Sequence, residues 1–170
     1  MNWRGSLLAG ILCVATVGIA AASREWTMRF DGTGPVKFGM SLSELNAALH
    51  ERFSMPQGKE EQGCFYVSPA RHPGISFMIE DGHVTRVDVQ RRGISTAEGV
   101  RIGDSEARAA QVYGNKLKVE PHHYTSPEGH YLTVLSNDKR YGIRFETDEG
   151  KVVRFYAGQR HAIAYVEGCQ

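Results

Sequence analysis

The sequence predicts an α+β fold made of two tandem repeats, each a helix followed by a small antiparallel sheet. Two pairs of similar segments predict the repeat. GISFMIEDGHVTRVDV from Gly74 returns as GIRFETDEGKVVRFYA from Gly142, and VKFGMS from Val36 returns as VRIGDS from Val100. The segments from Val36 and Val100 lead into helix-start signals. The segments from Gly74 and Gly142 alternate apolar and polar residues around a turn, which is typical of a hairpin.

The order of these segments defines the domain organisation. We expect repeats over about residues 34–92 and 97–158, with a C-terminal tail over 159–170. The offset between the copies is four residues smaller for the earlier pair, so one insertion separates the two blocks. Two copies are too few for a solenoid, and the length suits a single domain over residues 23–170.

Each repeat is expected to begin with a helix. The capping box SLSE starts at Ser41, and leucines at helical spacing continue the pattern, so we predict a helix as far as about Phe53. The second copy begins at Asp104 or Ser105 and ends before Gly114, which supplies a C-terminal stop. Its apolar face is thinner and rich in alanine.

Each repeat is expected to continue with a hairpin whose register follows from its apolar pattern. A three-residue loop ending in a left-handed glycine, with a glycine bulge, gives a clean apolar face in both copies, and a slip by one residue would spoil it. Further strands are predicted at Cys64–Val67 and Tyr131–Ser136. The residues that then share the apolar face are Ile75, Phe77, Val87 and Val89 in the first copy, and Ile143, Phe145, Val153 and Phe155 in the second.

The N-terminus has the pattern of a secretory signal peptide. Arg4 is the single charge in residues 1–22, and an apolar run and three alanines follow it. The run is shorter than the roughly 20 residues of a membrane span. We predict cleavage after Ala22; the alternatives are an uncleaved anchor and a lipoprotein with lipid on Cys13. The mature chain is expected to be soluble, in the periplasm or outside the cell.

Charge and cysteine content narrow the class of protein. Without Arg4, the Lys and Arg residues equal the 19 Asp and Glu residues, which gives no support for nucleic-acid binding. Cys64 and Cys169 remain in the mature chain, and an even count in an exported chain predicts a disulfide. It would close a loop of about 105 residues, worth roughly 4–5 kcal/mol. The alternatives are two free thiols or an intermolecular bond.

The segment VKFGMSLSELNAAL from Val36, with VRIGDSEARAAQVYG from Val100 as a weaker copy, resembles the repeat of the β-lactamase-inhibitor-protein family. It is also similar to the outer-membrane assembly lipoproteins of the SmpA/OmlA type. The resemblance implies one continuous curved sheet with helices on one face, and a concave face that grips a partner protein.

One cluster of histidines is a candidate for chemistry. His122, His123 and His130 lie in PHHYTSPEGHY, but neighbouring histidines on a strand point to opposite faces, and their spacing matches no familiar zinc motif. We therefore predict a loop of structural or surface histidines, with metal ligation as the alternative. We expect no metal, no cofactor and no catalytic residue.

The hairpin face opposite the apolar one is the candidate binding surface. Arginine and tyrosine dominate protein–protein hot spots, and this face is rich in both. The alternative is a solvated face with cross-strand ion pairs. The predicted partner-binding residues are Arg86, Arg144, Arg154, Tyr156, Tyr66, Tyr124 and Tyr131.

These inferences together favour an exported, non-enzymatic protein-binding module. By resemblance, an inhibitor or immunity-type protein acting on a secreted or envelope enzyme comes first. The alternatives are a structural or assembly factor of the cell envelope, and a small hydrolase or metal-dependent enzyme.

Overall fold

The structure, a computed structural model, describes residues 26–58 and 63–169. The predicted signal peptide over residues 1–22, its cleavage site and Cys13 lie outside these ranges. In the part of the chain that is described, no helix has the length and hydrophobicity that a membrane crossing requires.

Most of the regular structure is β. Within the described residues the strands form two antiparallel sheets, one of three strands and one of seven. The small sheet contains β1 (Met28–Arg29), β2 (Gly32–Thr33) and β3 (Val36–Lys37). The large sheet contains β4 (Cys64–Val67), β5 (Ile75–Glu80), β6 (His83–Val89), β7 (Lys118–Pro121), β8 (His130–Leu135), β9 (Tyr141–Asp148) and β10 (Lys151–Gln159).

The prediction of an α+β fold with helices on one sheet face is wrong, because the helices are too short to form a layer. They are α1 (Leu42–Leu49) and α2 (Glu106–Tyr113), and each buries two side chains. The first ends before the predicted Phe53, since His50 adopts a left-handed conformation with φ 52°. The Asn46 amide then pairs with both backbone groups of Phe53 and holds the following segment outside the helix.

The predicted starts of both helices are confirmed. Ser41 caps α1 and accepts from Glu44 N, and the Glu44 carboxylate accepts from Ser41 N at 2.8 Å, which completes the capping box. Ser105 caps α2 through Arg108 N, and Gly114 ends it. The predicted strand at Cys64–Val67 is confirmed, and the one predicted from Tyr131 begins one residue earlier.

The seven strands lie in the order β4-β5-β6-β10-β9-β8-β7. One half of the sheet therefore comes from residues 64–89 and the other from residues 118–159, and the two halves meet where β6 pairs with β10. Phe155 lies opposite Val89 in this pairing, and Gly158 lies opposite Arg86.

The hairpin register is as predicted, but its cause is different. Phe77 lies opposite Val87 and Phe145 opposite Phe155. Asp81 and Gly82 form a two-residue loop with φ of 49° and 78°, as in a type I′ turn, and Glu149–Gly150 repeats it. The extra residue lies inside β6 and β10, where the register shifts after the first two pairs from the loop. The three-residue loop with a glycine bulge was wrong.

The bulge also corrects one residue of the predicted apolar face. Val153 is unpaired between Val152 and Arg154, and its side chain is exposed, whereas Val152 is buried. A bulge residue leaves the alternation of its strand, so the sequence pattern placed the wrong valine in the core.

The residues just before each helix are joined to the large sheet by equivalent backbone hydrogen bonds. Gly39 N donates to Val84 O, and Val84 N donates to Met40 O, each at 2.8 Å. In the second half, Gly103 N donates to Val152 O at 2.8 Å, and Val152 N donates to Asp104 O at 2.9 Å. Each helix start is thereby fixed to the strand that follows the hairpin loop. The main core lies on this side of the large sheet and includes Leu45, Phe77, Ala109, Phe145 and Phe155.

Candidate functional site

The opposite side of the large sheet carries polar and aromatic side chains, and we call it the polar face. Its residues alternate along each strand with those of the core. It consists of Tyr66, Arg86, Asp88, Tyr131, Thr133, Arg144, Glu146, Arg154 and Tyr156.

A buried ion pair lies on β6. Nε and Nη2 of Arg86 donate to the two carboxylate oxygens of Asp88 at 2.9 Å each. Nη2 also donates to the hydroxyl oxygen of Tyr66 at 2.7 Å, and the guanidinium lies 4.3 Å above the ring of Tyr156. Arg86 is only 4% exposed. The expectation that it points into solvent is wrong.

Residues 160–169, the C-terminal segment, bury Arg86. Nη1 of Arg86 donates to Ala162 O at 3.1 Å and to Tyr165 O at 3.4 Å. Ala162 and Ile163 are buried, and a Cβ at Gly142 would lie 2.4 Å from Cδ1 of Ile163. The glycine in β9 therefore makes room for this segment, which covers one end of the polar face.

The end of the C-terminal segment is bonded to strand β4. Cys64 and Cys169 form a disulfide with a Cα–Cα distance of 5.3 Å, as predicted. Gly168 beside it has φ 77°, and a Cβ there would lie 2.3 Å from the Tyr66 hydroxyl. Tyr165 donates its hydroxyl to Glu80 at 2.8 Å. The segment is thus held to the sheet along its whole length.

A second buried network lies on β9. Oε2 of Glu146 accepts from Nε of Arg154 at 2.5 Å and lies 3.1 Å from Nε2 of His122. Nδ1 of His122 accepts from the backbone N–H groups of Tyr124 and Thr125 at 3.2 and 3.3 Å. Because Nδ1 is an acceptor, the proton of a neutral His122 lies on Nε2 and is donated to Glu146.

Several buried oxygens beside this network have no hydrogen-bond partner within the described residues. On the polar face they are Oε1 of Glu146 and the hydroxyls of Tyr131 and Tyr156. Tyr131 lies opposite Glu146 in the β8–β9 pairing. Burial, and then the carboxylate of Glu146, raise the pKa of Tyr156 far above its ordinary value, so this phenol keeps its proton.

A cavity of about 360 Å³ opens beside the two networks, and we call it the polar cavity. It lies between the C-terminal segment on one side and the loop after β7 on the other. Its lining is mostly polar. The lining residues are Tyr66, Ser76, Arg86, Asp88, Gln90, Tyr124, Arg154, Val166 and Glu167.

The predicted partner-binding residues divide into four that line the polar cavity and three that do not. Four of them, Tyr66, Arg86, Tyr124 and Arg154, line the polar cavity together. Tyr124 is 60% exposed, the Arg154 side chain 45% and Tyr66 38%. The other three lie within the face: Tyr131 and Tyr156 are buried, and the Arg144 guanidinium lies 5.0 Å above the ring of Tyr131.

The three candidate histidines do not come together. His122 is buried against Glu146, His123 is exposed, and His130 pairs through Nδ1 with Glu106 at 2.9 Å on the core side. Among residues 26–58 and 63–169, no group of three or more His, Cys, Asp or Glu side chains is arranged to hold a metal ion.

The sequence analysis did not predict that the C-terminal segment lines the polar cavity. It therefore missed the lining residues Val166 and Glu167, and it also missed Ser76 and Gln90. Two signals were available. Glycines inside a strand mark a close approach of another segment, as Gly142 does. The predicted disulfide also required the tail to return to β4.

Comparisons with known proteins bear on the fold alone. No protein-family model matches the chain, and no curated protein matches it. A solved structure of an extracellular protein containing a SCP domain, from Bacillus anthracis str. Ames, is similar with a TM-score of 0.50 and 9% identity over 87% of this chain. The chain spans 50% of the length of that protein. A DUF4309 family protein from Bacillus subtilis subsp. subtilis str. 168 gives a TM-score of 0.45 and 12% identity, over 81% of this chain and 90% of that one.

Proposed function

We propose that this chain is an exported, non-enzymatic binding protein that docks a partner protein on its polar face, in the manner of an inhibitor or immunity protein. The observation that carries the proposal is the exposed group of Arg154, Tyr124 and Tyr66 around one cavity, above a buried network. These are residue types that contribute most to protein–protein hot spots.

The network supports binding because it fixes the exposed side chains in advance. Nε of Arg154 is held by the buried carboxylate of Glu146, while Nη1 and Nη2 have no partner among the described residues. The guanidinium therefore presents a planar pair of donors at little cost in side-chain entropy. Tyr124 stands beside it on a loop that His122 holds through two backbone N–H groups.

Export is part of the same proposal. The Cys64–Cys169 disulfide persists in oxidising compartments, and the N-terminal sequence has the pattern of a signal peptide. The expected location is the periplasm or the exterior of the cell.

The test is capture of a partner from an envelope extract by immobilised protein, followed by titration of the purified pair. Arg154→Lys keeps a cation beside Glu146 but removes the planar donors, and Tyr124→Ala removes an exposed ring. We expect each to weaken binding by at least about tenfold, as at a hot spot. Arg101→Lys is the matched control, since Arg101 is exposed and outside the polar face. Equal affinity of all three variants would place the docking surface elsewhere.

A further inference from the structure

Both arginines that line the polar cavity are paired with a carboxylate. Arg86 donates to Asp88 at 2.9 Å, and Arg154 donates to the Glu146 carboxylate beside the cavity at 2.5 Å. The cavity volume of about 360 Å³ lies at the lower end of the roughly 300–1,000 Å³ that ligand pockets occupy. A neutral small molecule therefore suits the cavity better than an anion or a cation does.

The lining offers donors and acceptors side by side. Nη1 and Nη2 of Arg154 and the Gln90 amide can donate, while the Gln90 carbonyl and the remaining lone pairs of Asp88 can accept. Tyr66 accepts from Arg86, and burial raises the pKa of its phenol, so its own proton remains available for donation. A hydroxyl group is the ligand group that donates and accepts at once.

The cavity also has an aromatic border. Tyr124 and Tyr66 are the exposed tyrosines that line it, and both combine an apolar ring with a polar tip. A ring that carries hydroxyls at its edge and C–H groups on its faces matches this combination of stacking surface and hydrogen-bonding groups.

The floor of the cavity is already ordered. Arg86 is held by Asp88, by Tyr66, by the ring of Tyr156 and by two carbonyls of the C-terminal segment. Behind Arg154, the Glu146 carboxylate accepts from Nε of Arg154 and lies 3.1 Å from Nε2 of His122, which holds the guanidinium at the cavity. Binding would therefore require little reorganisation of the protein.

We propose that the polar cavity binds a neutral sugar, with its hydroxyls on Arg154, Gln90 and Asp88 and its ring against Tyr124. This goes beyond the docking of a protein partner, because it assigns a small ligand to the cavity itself.

The experiment is a glycan array probed with the purified protein, followed by calorimetric titration of the best ligand as a free oligosaccharide. The array carries neutral glycans together with sulfated, carboxylated and amino-substituted ones. We expect binding to neutral glycans. Gln90→Ala and Tyr124→Ala should each weaken it by at least about tenfold, which corresponds to about 1.4 kcal/mol. Gln57→Ala is the matched control, because Gln57 is exposed and outside the cavity lining.

Three results would overturn the proposal: no neutral glycan bound, binding confined to charged glycans, or affinity unchanged in both cavity variants. Gln90 and Tyr124 are exposed, so both variants should keep the urea midpoint of the parent protein, which is checked first. The array contains no protein partner, so a negative result leaves the capture assay to decide the docking proposal separately.

Discussion

Arg86 and Arg154 stand at the same place in two similar hairpins, yet their surroundings differ. The C-terminal segment covers Arg86, whereas Arg154 remains nearly half exposed at the polar cavity. Arg86 is therefore part of a buried ion pair, whereas Arg154 is a candidate contact for a partner protein.

The first prediction compares these two arginines. Arg86→Ala should lower the free energy of unfolding by about 3–5 kcal/mol, because it leaves Asp88 buried without its cation. Arg154→Ala should cost less, because the site is partly exposed and Glu146 keeps His122 as a partner. Urea unfolding of both variants measures the difference. Equal losses, or a neutral Arg86→Ala, would contradict the buried pair.

The second prediction concerns pH and Glu44. The backbone N–H and then the hydroxyl of Ser41 donate to its carboxylate and hold its pKa below the ordinary 4.5. The ionised carboxylate therefore stabilises the fold above the unfolded pKa, and this contribution is lost as pH falls through the lowered folded pKa. NMR titration should give a Glu44 midpoint below 4.5 that moves upwards in Ser41→Ala. A midpoint at or above 4.5 in the parent protein would refute it.

At the scale of elements, the two helix starts differ in two hydrogen bonds, both accepted by the Glu44 carboxylate. Ser41 and Glu44 cap each other, whereas the residue three positions after Ser105 is Arg108, which donates only its backbone N–H to the cap. The cap of α1 therefore satisfies one more backbone group than that of α2.

The third prediction follows from this difference. Ser41→Ala should lower the free energy of unfolding by about 1 kcal/mol, and Ser105→Ala should lower it by less, because the Ser41 hydroxyl also donates to the Glu44 carboxylate, at 2.8 Å, whereas the Ser105 hydroxyl only accepts from a backbone N–H. Thermal and urea unfolding of the two variants provide the comparison. A larger loss for Ser105→Ala would show that the bond between the Ser41 hydroxyl and the Glu44 carboxylate adds nothing.

Local patterns predicted the strands well because apolar alternation and turn residues act over a few positions. The apolar faces predicted the register of both hairpins correctly. The same register arises from a three-residue loop or from a two-residue loop with a bulge inside the strand, and the pattern does not distinguish them. Because the bulge lies at Val153, this valine was wrongly predicted to be in the core. The length of α1 depended on the left-handed His50 and on the Asn46 side chain, neither of which periodicity encodes. The fold class was wrong because the helices are short and the described residues form ten strands in two sheets.

The candidate site was predictable only in part. Strand alternation correctly placed Arg86, Arg154 and Tyr156 on the side opposite the core. The exposure of Arg86 depends on the C-terminal segment, whose residues show no helical or strand period and whose position is decided by distant contacts. Burial by a remote segment is a tertiary property, so the pattern of the hairpin alone predicted a surface position for this buried arginine.

At the scale of the whole molecule, the disulfide and the C-terminal segment act together. The bond joins β4 to a residue 105 positions later and holds the segment over Arg86 and Asp88. Its removal should therefore affect both the unfolded chain and the cover of the polar face.

The fourth prediction is that replacing both cysteines, Cys64→Ser with Cys169→Ser, lowers the free energy of unfolding by roughly 4–5 kcal/mol, because the unfolded chain regains loop-closure entropy. Hydrogen exchange should also quicken in residues 161–168, while β9 and β10 keep their protection. An unchanged urea midpoint would contradict the first effect, and unchanged exchange in the segment would contradict the second.

The same span of chain has a consequence for biosynthesis. A polypeptide emerges with its N-terminus first, so Cys64 arrives 105 residues ahead of its partner. During that interval its thiol is available to other thiols, and β6 presents an open edge until β10 emerges to pair with it. Closure of the sheet and of the disulfide both depend on late-emerging residues. The speed of chain delivery therefore sets how long the nascent protein is exposed to mixed disulfides and to edge-to-edge aggregation.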